Sequence, residues 1–113
     1  MKDLISYSDF AKIEIRLGTI ISAELNNKLL KPSFVLKIDF GDEIGIKKSS
    51  AQLTKNYNIE QLLNRQIAAV VNFPSKQIGD LISEVLVLGF PDKNNEPILI
   101  SPDIKLVNGG RLY

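Results

Sequence analysis

An all-β fold with short helices is predicted by three features of this sequence. Apolar residues recur with a period of two over long stretches, as in Phe34, Leu36, Ile38 and Phe40. Short apolar, β-branched runs at residues 67–72 and 84–90 are bounded by Pro-, Gly- and Asn-rich turns. Only the N-terminal stretch and residues 53–63 carry helical spacing.

The elements follow in order. Ser6 or Ser8 can cap a short helix over residues 9–13, with Phe10 and Ile13 facing the core and Asp9 at the positive end of the dipole. The period then changes to two. Ile15, Leu17, Thr19, Ile21, Ala23 and Leu25 share one face, with Arg16, Gly18, Ser22 and Glu24 opposite and Ile20 as the exception. Gly18 points to a bulge or bend there. Asn26, Asn27, Lys28 and Pro32 break the strand. A second strand turns Phe34, Leu36, Ile38 and Phe40 inward and Lys37 and Asp39 outward, and Gly41-Asp42-Glu43 returns it as a hairpin into residues 44–47. Residues 53–63 read as a helical crossover anchored by Tyr57, Leu62 and Leu63, with Asn58 able to cap its second turn. Strands at 67–72, 84–90 and 97–101 follow, and Asn108-Gly109-Gly110 makes the tail turn-rich. Five strands with a short N-terminal helix and a helix between strands 3 and 4 fit a Greek-key barrel of the OB type better than an SH3-like barrel.

At 113 residues the chain forms one domain, residues 1–113, and hides roughly two-thirds of its unfolded surface without a metal or disulfide staple. Cysteine and histidine are absent, which excludes disulfides, thiolate chemistry, the usual metal ligands and every His-containing triad. The net charge of +1 names no partner. No apolar run approaches the ~20 residues of a membrane span, and the opening residues lack a secretory pattern, so the expected location is cytoplasmic.

Asp39, Asp42 and Glu43 form the best carboxylate cluster, but a solvated turn explains them. No catalytic constellation, metal site or cofactor site is found, and the protein is not expected to be an enzyme. What remains are polar residues at strand ends: Lys47, Lys48, Ser49 and Ser50, then Asn72, Lys76 with Gln77, and Ser83 with Glu84. On one barrel mouth they could meet phosphates and base edges. Val85, Leu86, Val87 and Leu88 are apolar on both faces of their strand, which requires either a covering helix or loop or a homodimer interface. Val85, Val87 and Phe90 are the candidate interface residues.

Residues 39–57, 66–74 and 83–89, together with Phe10 through Thr19, resemble the CsaA family of small bacterial and archaeal proteins, so the likeness covers nearly the whole chain. The same domain is similar to the tRNA-binding appendage of bacterial methionyl-tRNA synthetases. The resemblance implies an OB-fold, a homodimer, and binding to the outer corner of folded tRNA with little sequence discrimination. It also implies an alternative role as an export-related chaperone that holds unfolded preproteins. The family's polar positions map onto Lys47, Ser49, Ser50, Asn72, Ser83 and Glu84, and Lys76 matches one basic loop residue. Gln77 and Ile82 stand where the family usually has basic residues, which implies weaker phosphate binding. Leu29, Leu30, Phe90 and Leu112 are the residues a holdase groove would use.

Overall fold

The computed structural model describes residues 1–113. Its main sheet has five strands in the order β3-β2-β1-β4-β7, with β1 at Ile15–Asn26, β2 at Ser33–Asp39, β3 at Ile46–Ala51, β4 at Gln66–Val70 and β7 at Leu86–Val87, all neighbours antiparallel. Two small hairpins flank it, β5–β6 (Lys76–Ile78 and Leu81–Ser83) and β8–β9 (Gly89–Pro91 and Pro97–Leu99). Helix α1 covers Tyr7–Ala11 and α2 Ile59–Leu62. The mostly-β class with a helix before the first strand and another between the third and fourth is as the sequence predicts. The sheet curls until β3 meets the segment before β7: the Glu84 N–H donates to the Lys48 carbonyl at 2.8 Å, and the Ser49 hydroxyl to the Val85 carbonyl at 3.2 Å. Ile20, Leu36, Ile38, Phe40, Leu62 and Ile67 lie fully buried inside the curl. No helix is long and apolar enough to cross a membrane.

The hairpin of β2 and β3 has the expected inward face, but β3 starts two residues later than expected because Gly41 and Gly45 both take positive φ and lengthen the turn. In β1 the expected faces change. The register with β2 slips between Ile20 and Ser22, so Ile21 is an extra residue. Gly18 and Ile20 point inward before the bulge and Ala23 after it, while Ile21 is 43% exposed. Ile20 is therefore core rather than an exception. The bulge sits three residues beyond Gly18, whose own role is different. A Cβ there would lie 2.6 Å from Ile38 Cγ2 and 2.7 Å from the Phe40 ring.

The helices are shorter than their apolar spacing predicts. Ser6 caps α1, in a capping box with Asp9, but Phe10 is only half-buried and Ile13 is exposed. The crossover helix begins at Ile59, because Asn58 holds an extended backbone and its side chain accepts from the Gln61 N–H at 2.8 Å. Upstream, the Asn56 amide donates to the Asp92 carboxylate at 3.0 Å and keeps residues 53–58 in turns. Leu62 is buried and the Tyr57 hydroxyl accepts from the Leu99 N–H at 3.0 Å, whereas Leu63 is exposed. The expected strand at 84–90 is two short pieces, since Leu88 bonds Ala68 and Ile100 across the sheet while β8 pairs with β9.

Both ends of the chain meet on β1. The Arg16 guanidinium donates to Glu14 at 2.9 Å, to Glu43 at 3.0 Å and to the Gly109 carbonyl at 2.9 Å. Arg111 pairs with Glu14 at 3.2 Å and also bonds the Ala11 carbonyl. Burial opposes the Arg16 charge, but the bonds to Glu14 and Glu43 outweigh it, and its pKa rises.

Candidate nucleic-acid interface

Strand β3 carries four of the expected site residues, and its alternation divides them. Lys47 pairs with Ile38 and Ser49 with Leu36, so both share the concave face; Lys48 pairs with Lys37 and Ser50 with Val35 on the convex face. Ser49 is 1% exposed, with its hydroxyl given to Val85, so it holds the sheet closed and offers nothing to a ligand. Lys48 is exposed and Lys47 half-buried.

The segment 83–85 is stitched to β3 by a small network. The Ser50 N–H donates to the Ser83 hydroxyl at 3.0 Å, and the Lys48 N–H donates to Glu84 Oε1 at 2.9 Å. Ser50 in turn shares a hydrogen bond with Ser33 at 3.2 Å. Lys76 lies directly across the β5–β6 hairpin from Ser83. A pocket of about 210 Å³ opens here, with Ser50, Lys76, Ser83 and Glu84 as its polar lining and Phe73, Pro74 and Leu86 among its apolar walls. The fold thus brings together Lys48, Ser50, Lys76, Ser83 and Glu84 from three separate stretches of sequence.

Asn72 borders this group through Phe73 and Pro74, but its amide is engaged elsewhere. It accepts from the Glu14 N–H at 2.9 Å and donates to the Lys12 carbonyl at 2.8 Å, fixing the entry into β1.

Six ion pairs form in the molecule, and none uses Lys37, Lys47, Lys48 or Lys76. Lys37 and Lys48 are direct cross-strand neighbours, a like-charge pair that disfavours the bare sheet and that an anion would relieve. Lys37 is the residue sequence reasoning missed. Its signal was the hairpin register, which sets it opposite Lys48. The acidic turn offers no comparable site: Asp39 accepts from the Gly41 N–H at 2.9 Å and Glu43 pairs with Arg16. No three acidic residues are grouped to hold a metal ion.

Of the candidate interface residues, Val85 belongs to the core of a single chain and Val87 packs half-buried against it. Phe90 is 69% exposed and faces Ile98, also exposed, across β8–β9.

The fold and the site define a small curled β domain with a cationic face beside a shallow pocket. The chain belongs to the family described as "Putative tRNA binding domain", whose model matches residues 15–111. Among solved structures, the chaperone CsaA of Bacillus anthracis strain Ames superposes with a TM-score of 0.92 at 42% identity, over 98% of this chain and all of that one. The CsaA chaperone protein of Picrophilus torridus gives 0.90 at 47% identity, over 97% of this chain and all of that one. The methionine–tRNA ligase of Methanococcoides burtonii is 37% identical over 90% of the chain, which spans only 15% of the ligase's length.

Proposed function

We propose that this domain binds folded tRNA as a homodimer in the cytoplasm, gripping the outer corner through its phosphates with little regard to sequence. The observation that carries the reading is a cluster of lysines that form no ion pair: Lys37 and Lys48 side by side on the convex face of β2–β3, with Lys76 on the adjoining hairpin and Lys47 on the other face of β3. Ammonium groups without protein partners are free to displace counterions from a phosphate backbone. Ser50, Ser83 and Glu84 add hydrogen-bonding groups within the same patch. Binding needs no catalytic group, and the family match supports a binding domain.

The test is a tRNA titration at several salt concentrations with the Lys48→Glu, Lys76→Glu double variant. Both side chains are exposed and unpaired, so the fold is retained. Affinity falls at least tenfold, and the slope of log K against log salt flattens by roughly one unit per lost phosphate contact. An unchanged slope would remove this face from the interface.

A second reading, a holdase for unfolded preproteins or a partner of export components, is favoured by one observation. The Phe90–Ile98 pair, with Leu30 and Leu112, presents apolar side chains to solvent, in keeping with the description of two of the similar crystal structures as chaperones.

A further inference from the structure

The pocket beside the lysines contains groups that phosphate recognition does not use. Glu84 is half-buried at its edge and forms no ion pair. Its Oε1 accepts from the Lys48 N–H at 2.9 Å, which fixes the side chain, and its other oxygen has no partner in the protein. A carboxylate placed on a phosphate-binding face repels the backbone and accepts only from a hydrogen-bond donor. In RNA the neutral donors are the ribose hydroxyl and the N–H groups of the bases.

The surroundings select the base. Phe73 is 51% exposed at the rim, a ring face available for stacking, and Ile78 and Leu86 complete an apolar wall. The volume of about 210 Å³ is below the ~300–1,000 Å³ typical of pockets for drug-sized ligands, and so suits one ring system rather than a whole nucleotide. The Ser83 hydroxyl, which accepts from the Ser50 N–H at 3.0 Å, keeps its own hydrogen to donate. Lys76, opposite Ser83 on the hairpin, is placed for the attached phosphate.

We infer that this pocket captures one unstacked guanine, its N1–H and 2-amino groups on the Glu84 carboxylate, its O6 near the Ser83 hydroxyl and its ring against Phe73. Guanine is the base whose pairing edge sets two donors side by side for a carboxylate, with an acceptor next to them for the hydroxyl. The inference rests on the proposed tRNA-binding reading and deepens it: lysines hold the backbone, and the pocket reads a single base exposed at a bend.

The test is an NMR titration of the full chain with guanosine 5′-monophosphate and with inosine 5′-monophosphate, which keeps N1–H and lacks the 2-amino group. Shifts centred on Phe73, Ser83 and Glu84 are expected, with the guanosine nucleotide bound at least about fivefold more tightly. Glu84→Gln keeps the acceptor for the Lys48 N–H, and so the fold, but removes this preference. Phe73→Leu weakens both nucleotides at least about fivefold and leaves their ratio unchanged. Equal affinity for the two nucleotides, or a preference that survives Glu84→Gln, overturns the inference. Protein that binds tRNA with its full salt slope yet does not distinguish the nucleotides loses base capture alone. Protein that prefers the guanosine nucleotide but fails to bind tRNA keeps the pocket and loses the proposed function.

Discussion

At Gly18 the sheet has no room for a side chain. The contacts of 2.6–2.7 Å that a Cβ would make are with the buried Ile38 and Phe40, neither of which can swing into solvent. Gly18→Ala should therefore cost about 1–3 kcal/mol through overpacking, whereas Gly110, with nothing within 4 Å of its would-be Cβ, should accept alanine with almost no change in Tm. Thermal melts of the two variants decide this. A second residue-level effect concerns pH. The Asp92 carboxyl is held below its usual 3.8 by the Glu96 N–H, then by the Asn56 amide and the Asn94 N–H. With the folded pKa depressed, the contribution is complete above the unfolded value and is lost as pH falls through the folded one. The turn joining β8 and β9 should loosen only below about pH 4, with the Asn94 and Glu96 amide resonances moving together; in Asp92→Asn that transition is absent. The sequence shows which polar residues lie at the strand ends, but not how each is engaged. Ser49 and Asn72 read as available polar groups, and only the three-dimensional register shows the first tied to Val85 and the second to Lys12 and Glu14.

Among the elements, β2 was the most readable, because one buried face and a regular ladder make a period of two unmistakable. In the first half of strand β1 the alternation predicts the opposite face from the one the structure buries. One extra residue inverts the alternation, and Ile20-Ile21 offers two equivalent candidates for the inward place. The structure chooses Ile20, so Ile20→Ala should cost about 2–5 kcal/mol and Ile21→Ala under about 1 kcal/mol. Comparable losses in denaturant midpoints would place the bulge elsewhere. The β5–β6 hairpin was overlooked although its signal was present: Gly79-Asp80 is a two-residue turn with Gly79 at φ 62, between short strands that pair Ile78 with Leu81. Three-residue strands carry too little alternation to be seen otherwise. The pocket wall was missed with it, since Lys76 and Ser83 become neighbours only through that turn. Conversely, residues 53–63 showed helical spacing over more chain than folds as helix, because Asn56 and Asn58 bind side chains and backbone that compete with it.

For the whole molecule, the proposed dimer makes a definite demand. Val85 and Val87 contribute to a single chain's core, so of the three residues expected at a self-association surface only Phe90, paired with the exposed Ile98, is open to a second chain. Phe90→Asp should leave the monomer folded and move the sedimentation mass from two chains to one at micromolar concentration. A dimer that persists would shift the interface to another face. Such a change would also halve the number of lysine patches offered to one tRNA, and apparent affinity would fall even though every phosphate-facing side chain is intact.

The charged knot on β1 has a consequence for architecture. Arg16, Glu14 and Arg111 hold residues 11–16 against residues 109–112, on an edge built from other segments than the Lys76–Glu84 patch. Incoming and outgoing polypeptide therefore share one corner, and this domain can be spliced into a larger assembly, or cut and rejoined head to tail, without breaking the strand pairs that form the Lys76–Glu84 pocket.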